Sequence, residues 1–212
     1  SAEILPVLRT GADHADDGLY KNYSSASAIR RAVAEGKLRG ARRNVPEFVA
    51  DDLAAAVDPA PYKKLAVYAL LRADSAQIRA ATDCSEGLEN RIKALAHSTA
   101  DYDSVIEMTT SKRYISSRIR RIIAATVLGI GEELVRKSLR APLYLKVLAV
   151  RAARSDELLS ALGSSPDPLI MRKSDLSRLG KTAAECYAKD LLAADLFHLA
   201  SGRAAGDRPR FV

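Results

Sequence analysis

The sequence predicts a mainly α-helical chain with one short pair of strands. Proline, aspartate or glycine stands before most of the apolar segments after residue 45, and these residues are common where helices begin. Residues 143–150 are instead apolar and partly β-branched, and 168–171 form a second, shorter run of this kind. Before these runs, Gly129 and Gly131 interrupt the helical pattern ahead of residue 132. Helices should therefore form most of the chain, with one strand pair near its end.

Residues 1–44 have a different organisation from the rest. The apolar run 4–8 predicts a buried strand that ends at Arg9, and a Gly- and Asp-rich loop follows over 11–18. A helix then runs to about residue 35, where Gly36 ends it. Three serines can each cap its start: Ser24, Ser25 and Ser27. A strand, a loop and a capped helix are typical of the last unit of an α/β domain. One strand cannot form a sheet alone, so we expect the chain to be a fragment of a longer protein.

From residue 45 onward a helical domain is predicted to extend to residue 200. Its expected helices cover residues 46–57, 59–72, 83–97, 103–110, 115–128, 132–139 and 181–199. The third begins with a predicted capping box between Asp83 and Glu86, and Asp101 is expected to cap the fourth. Residues 201–212, rich in Gly, Arg, Asp and Pro, are predicted to be a flexible tail.

The composition narrows the class of function. A net charge of +7 and a pI of about 9.5 predict attraction to polyanions, which include RNA, DNA and anionic membranes. Cys84 and Cys186 are far apart, which fits neither a zinc site nor a disulfide framework. No apolar run is long enough to cross a membrane, and no signal-peptide pattern is present. We therefore predict a soluble, cytoplasmic protein without a membrane partner.

The most informative segment is Ser111–Arg121, which carries five cations and no acid. At 100° per residue, five isoleucines share one side of a helix: Ile115, Ile119, Ile122, Ile123 and Ile130. Arg118, Arg120 and Arg121 project from the other side. A helix buried along one face and cationic along the other suits a nucleic-acid backbone. A solvated surface helix is the alternative.

Other polar groups indicate a functional site less strongly. The segment 24–31 combines hydroxyls, a helix start and arginines, which suits a nucleotide phosphate, although a plain helix cap explains it too. Acids within 85–91 have the usual place of acids at a helix start. His14, His97 and His198 have no metal-ligand or catalytic spacing, and no complete catalytic motif is present. We therefore predict neither a catalytic residue nor a metal ligand within this chain.

Four segments together resemble one known family. They are a strand ending in Arg9 before residues 11–16, Ser24–Arg30, the Glu-Gly-Leu-Glu-Asn-Arg-Ile run at 86–92, and Thr-Ser-Lys-Arg-Tyr at 110–114 followed by 117–119. In this order they resemble the bacterial tRNA(Met) cytidine acetate ligases. The strand candidates 143–150 and 168–170 also fit the C-terminal part of that family.

The resemblance implies an ATP-dependent ligase with a Rossmann-like nucleotidyltransferase domain followed by a helical region. Such an enzyme activates acetate as acetyl-adenylate, using ATP with Mg²⁺, and acetylates N4 of the wobble cytidine of elongator tRNA(Met). The residues implied for ATP are Arg9, Ser24, Ser25, Ser27 and Arg30. The residues assigned to tRNA are Lys112, Arg113, Tyr114, Arg118, Arg120 and Arg121. Residues 1–44 would then be the end of the nucleotidyltransferase domain.

One departure from the family limits the expected activity. The H-x-G-H motif that steadies the ATP phosphates in this family is absent from the sequence. We therefore expect this chain to supply mainly tRNA binding and not to catalyse adenylation by itself. Two alternatives remain, a non-catalytic basic RNA-binding module and a helical protein–protein adaptor. DNA is not an expected partner.

Overall fold

A computed structural model of the chain describes residues 4–8, 16, 18–20, 24–55, 58–148, 150 and 152–202. Contacts divide the chain into two compact units, Ser1–Val57 and Asp58–Val212. The described residues are mainly helical and include one short pair of parallel strands. The predicted fold class is confirmed at this level. The predicted tail lies, from residue 203 on, outside the described residues.

The first unit is built from short helices. They are α1 (Ala26–Ala34), α2 (Leu38–Arg42) and α3 (Glu47–Ala50), followed by a 3-10 turn over Asp52–Ala55. Ser25 caps α1 by accepting a hydrogen bond from the Ala28 backbone N–H at 3.0 Å, and Gly36 follows the helix with φ +74°. The serine-capped helix is thus confirmed. The single helix predicted over 46–57 is wrong, because a 3-10 turn succeeds one turn of α-helix.

The apolar run at 4–8 is not the buried strand that the sequence predicts. It forms no strand, and its side chains are exposed, with Ile4 at 88% and Leu8 at 88%. A strand needs a hydrogen-bonded neighbour, and the described part of the first unit contains none. Arg9 and residues 11–15 of the predicted loop lie outside the described residues.

The second unit contains the longer helices. They are α4 (Ala60–Arg72), α5 (Ser75–Arg79), α6 (Leu88–Thr99), α7 (Tyr102–Thr109), α8 (Ser116–Leu128), α9 (Glu132–Ser138), α10 (Ser155–Gly163) and α11 (Lys181–Ser201). Helices α4, α7, α8, α9 and α11 confirm the predictions, and Asp101 caps α7 as expected. The sequence did not indicate α5 or α10. None of the described helices is long and apolar enough to cross a membrane.

The strand pair is shorter than predicted. β1 (Leu145–Lys146) pairs in parallel with β2 (Leu169–Ile170), and Leu145 lies opposite Leu169. After β2 the carboxylate of Asp175 accepts hydrogen bonds from the backbone N–H groups of Met171 and Arg172, each at 3.0 Å. These two donors are the main reason that the pKa of Asp175 is lowered from its ordinary value.

The core of the second unit lies between α4, α6, α7 and α8, with α11 packed on α4, α8 and α9. Leu70 of α4 and Ile92 of α6 are fully buried there. Three fully buried isoleucines of α8 confirm the predicted apolar stripe: Ile119, Ile122 and Ile123. Ile115 is wrongly included in that stripe, because it precedes the first helical turn and is 59% exposed. The buried face of α8 fixes which of its side chains reach the surface.

Candidate nucleic-acid interface

A tight turn at Ser111–Tyr114 leads into α8. The Ser111 N–H donates to the Tyr114 carbonyl at 2.9 Å, and the Tyr114 N–H donates to the Ser111 hydroxyl at 3.1 Å. The turn is therefore closed from both ends by one serine. Lys112 and Arg113 lie at its tip and are exposed, whereas Tyr114 is half-buried against the core.

The loop before α6 adopts an unusual backbone. Asp83, Glu86 and Gly87 have φ values of +67°, +61° and +80°. The capping box predicted between Asp83 and Glu86 is therefore wrong: α6 begins only at Leu88, after Gly87. A capping box does occur one helix earlier, where Asp74 and Gln77 bond to each other's backbone N–H groups. The carboxylates of the 83–87 loop are thus available for other partners.

Arg118 fastens this loop to α8. Its Nε and Nη2 atoms donate to the Asp83 carbonyl at 2.9 and 2.5 Å, and Nη2 also donates to the Ser85 hydroxyl at 3.1 Å. One turn further along, Arg121 forms a looser ion pair with the Asp83 carboxylate at 3.5 Å. The two motifs that are separated in the sequence, 83–91 and 111–121, therefore meet on one surface.

A second set of contacts joins the same two segments at the turn. The guanidinium of Arg113 and the hydroxyl of Tyr114 both donate to the carboxylate of Glu86, the hydroxyl at 2.9 Å. The Tyr114 ring also lies beneath two guanidiniums, with centroid distances of 5.0 Å to Arg118 and 5.8 Å to Arg113. The hydrogen bond to Glu86 raises the pKa of Tyr114, so the phenol stays protonated.

The cations at this surface differ in how exposed they are. The side chains of Arg113 and Arg121 are 68% and 62% exposed although both are paired. Lys112 and Arg120 are also exposed. Arg118 is half-buried, with its donors directed into the 83–87 loop. Lys112, Arg113 and Arg121 are accordingly well placed to meet a large anion from solvent.

Below this surface lies a buried carboxylate. Glu89 is 4% exposed, its nearest cation is Arg79 at 3.8 Å, and its Oε2 atom has no hydrogen-bond partner in the described part of the chain. Burial, followed by the charge of Glu89, raises the pKa of Cys84 to about 11. Cys84 is therefore a protonated thiol at neutral pH and a poor nucleophile.

The residues that the resemblance assigns to ATP lie in the first unit. Ser25 is 2% exposed, and its hydroxyl donates to the Asp16 carbonyl at 2.6 Å while it caps α1. The Ser24 hydroxyl accepts from the Tyr20 N–H and donates to Asn44, both at 2.7 Å. Both hydroxyls therefore have internal partners. The other two described candidates, Ser27 and Arg30, are exposed on α1, and Arg9 lies outside the described residues.

Possible metal ligands are scattered over the part of the chain that the structure describes. No cluster of three or more His, Cys, Asp or Glu side chains that would hold a metal ion occurs within the described ranges. His97 is exposed in the last turn of α6, and His198 is buried in the last turn of α11. The Nδ1 atom of His198 has no hydrogen-bond partner among the described residues, and His14 lies outside them.

Comparison with known proteins assigns a family. The family described as HIGH Nucleotidyl Transferase matches residues 1–208. A tRNA(Met) cytidine acetate ligase of Thermoanaerobacter sp. (strain X514) is 29% identical over 202 residues, which cover 92% of this chain and 49% of that protein. One from Limosilactobacillus reuteri (strain DSM 20016) is 37% identical over 153 residues, covering 69% of this chain and 39% of that protein. These matches confirm the resemblance drawn from the sequence motifs. The chain spans about half the length, or less, of these curated relatives.

Two crystal structures share the fold. Thermotoga maritima TmcAL in its apo form I superposes with a TM-score of 0.82 at 24% identity, over 91% of this chain and 50% of that chain. The same protein bound with alpha-thio ATP gives a TM-score of 0.77 at 23% identity, over 84% of this chain and 47% of that chain. At this identity the likeness establishes a common fold.

Proposed function

Because the chain belongs to the HIGH nucleotidyl transferase family, we propose that it takes part in the ATP-dependent acetylation of a tRNA cytidine. Its relatives named tRNA(Met) cytidine acetate ligase support the acetylation of a cytidine in tRNA(Met). We propose the elongator tRNA(Met) as the substrate, as the motif resemblance implies. We assign the binding of tRNA to the second unit. The observation that carries this assignment is the surface formed by the Ser111–Tyr114 turn and the exposed side of α8.

This surface suits a phosphate backbone for three reasons. Lys112 and Arg113 stand on a turn that Ser111 closes, so the tip projects a pair of cations into solvent. Arg121 adds a guanidinium on the next part of α8, whose opposite face is anchored in the core. Guanidinium groups bind two phosphate oxygens at once, which favours arginine at such contacts. Arg120 and Tyr114 complete the predicted set, and Arg118 supports it by fixing the 83–87 loop.

We assign ATP to the first unit on the strength of the family alone. Ser27 and Arg30 are exposed on α1, where a phosphate would also meet the positive end of the helix dipole. Ser24 and Ser25 would support this site indirectly, through the internal hydrogen bonds of their hydroxyls that shape the start of α1. In the proposed reaction an acetate oxygen attacks the α-phosphorus of ATP and pyrophosphate leaves. The cytidine N4 then attacks the acyl carbon and AMP leaves.

The H-x-G-H motif is absent from the sequence, so we expect this polypeptide by itself to bind tRNA without acetylating it. Incubation with ATP, Mg²⁺, acetate and elongator tRNA(Met) should yield no N4-acetylcytidine by nucleoside mass spectrometry. Clear product would contradict this expectation. The affinity of the chain for the same elongator tRNA is then compared with its affinity for an unrelated tRNA. Preference for the elongator tRNA supports specific recognition, whereas equal affinity would leave charge attraction only.

The binding surface is tested by a matched pair of triple variants. In the first, Lys112, Arg113 and Arg121 are changed to Gln. In the second, the exposed cations of α9 and its end are changed to Gln, which removes the same charge elsewhere: Arg136, Lys137 and Arg140. Affinity for tRNA is then measured over a salt series.

We expect the first variant to bind more weakly, with a log–log salt slope that is shallower by about 0.7 to 0.9 per lost phosphate contact. The α9 variant should lose little affinity. Equal losses in the two variants would show that only net charge matters, and wild-type affinity in the first would move the binding face elsewhere.

A further inference from the structure

The carboxylate of Glu86 lies where two side-chain donors converge. The Tyr114 hydroxyl donates to its Oε2 atom at 2.9 Å, and the Arg113 guanidinium pairs with the same carboxylate. The Arg113 and Glu86 side chains are 68% and 48% exposed, so the site opens directly to solvent. One anionic group is thus held at the surface by a guanidinium and a phenol.

These donors also suit a phosphodiester. A phosphodiester, like a carboxylate, presents two oxygens that share one negative charge and accept hydrogen bonds without donating any. Arginine and tyrosine both donate to phosphate oxygens in nucleic-acid complexes, arginine often through two N–H groups. A ligand phosphate would therefore satisfy the same two donors that Glu86 satisfies in the free protein.

We propose that Arg113 and Tyr114 form a subsite for one RNA phosphate, and that the Glu86 carboxylate occupies this subsite until RNA displaces it. This inference rests on the proposed function, since it assumes that the surface binds RNA. It adds an acidic residue to the five cations and one tyrosine that the sequence assigns to tRNA.

The backbone holds Glu86 in this place. Its φ of +61° is a conformation that favours glycine, so the loop keeps a side chain there at a cost in backbone energy. Three residues earlier the loop is fixed to α8 through the bonds between Arg118 and the Asp83 carbonyl. The Glu86 side chain can swing away by rotation of its own χ angles while the loop stays attached.

As a consequence, the Glu86 carboxylate should lower the affinity of the subsite for anions that make few other contacts with the protein. A phosphate that enters the subsite must replace an existing ion pair, so the gain from this contact is smaller than at a bare arginine. An RNA that also meets Lys112 and Arg121 can compensate for that loss, whereas an isolated phosphate cannot.

The test compares two variants that each lose one negative charge. Glu86→Gln keeps the shape of the side chain and removes its charge. Glu133→Gln is the control, because Glu133 forms an exposed ion pair with Lys137 on α9 at 2.6 Å, remote in sequence from the proposed subsite. We expect Glu86→Gln to bind tRNA about three- to fivefold more tightly than the control at low salt, which is the upper range for an exposed ion pair. Its salt slope should be steeper by about 0.7 to 0.9.

Tyr114→Phe in the Glu86→Gln background adds a second readout. It removes the hydroxyl but keeps the ring beneath Arg118, and it should cancel part of the gain in affinity. Equal affinity of Glu86→Gln and Glu133→Gln overturns the subsite. If the Lys112, Arg113 and Arg121 triple variant still loses binding in that case, the proposed tRNA-binding surface survives. Wild-type affinity in that triple variant would instead move the binding face elsewhere and overturn this surface.

Discussion

Arg118 is expected to contribute more to stability than any other cation of this surface. It is the only residue among those described in the 111–121 segment whose side chain donates three hydrogen bonds to the 83–87 loop. The change to consider is Arg118→Met, which preserves the aliphatic stem and removes the guanidinium. The Asp83 carbonyl and the Ser85 hydroxyl would both lose their charged donor.

The expected loss follows from these contacts. Because Arg118 is only half-buried, its bonds to the Asp83 carbonyl contribute about 1.5 kcal/mol, the lower end for charged donors. The guanidinium over the Tyr114 ring adds about 0.5 kcal/mol at an exposed site. We expect the free energy of unfolding to fall by about 2 kcal/mol. Arg121→Met breaks only an exposed ion pair at 3.5 Å, so it should cost about 0.5 kcal/mol or less.

Urea unfolding followed by far-UV circular dichroism measures both variants, with Arg118→Lys as a third. Lysine keeps the positive charge but cannot reproduce the paired donation of Nε and Nη2 to one carbonyl, so most of the loss should remain. Equal stability of Arg118→Lys and the wild type would show that charge alone holds the loop. Equal losses of stability in Arg118→Met and Arg121→Met would refute the inference that Arg118 holds the 83–87 loop to α8.

Two further changes test the helix end and the turn after the sheet. Gly129→Ala should lower the free energy of unfolding by about 1 kcal/mol, since φ is +61° there. The control is Gly163→Ala, in open space at the end of α10, which should be neutral or stabilising by about 0.5 kcal/mol. Similar changes in the free energy of unfolding for the two variants, measured by urea unfolding, would contradict the backbone argument. Asp175→Asn should lower stability at neutral pH. Because the folded pKa of Asp175 lies below its ordinary 3.8, its contribution is present above that pH and disappears as the pH falls through the folded pKa. The two stability curves should therefore converge in acid, and a constant gap down to pH values below the folded pKa would contradict the assignment.

Helices with strong local signals were predictable from the sequence, and elements that depend on distant partners were not. Asp101 caps α7 through a bond that its own segment provides, so the helix start is visible in the sequence. The run at 4–8 has the composition of a buried strand, but a strand exists only with a neighbour to pair with. Likewise β1 is two residues long because β2 offers only a short partner.

The capping box at Asp83 and Glu86 failed for a different physical reason. Its spacing fits a helix start, yet both residues are left-handed, and such residues cannot continue a right-handed helix. What stabilises the alternative is Arg118, which lies on another helix and donates to the Asp83 carbonyl. No local pattern in 83–87 records that contact. The family resemblance did mark parts of both segments, but it did not indicate that they touch.

The surface as folded also changes how the net charge of +7 should be understood. The sequence shows a basic run with no acid, which suggests bare cations. In the structure Arg113 pairs with Glu86, and Arg121 with Asp83, so two of its exposed guanidiniums already have carboxylate partners. Affinity for RNA then depends on the exchange of these carboxylates for phosphates as well as on the number of cations. An acid-to-amide change at Glu86 should consequently alter tRNA binding more than the same change at Glu133, although both raise the net charge equally.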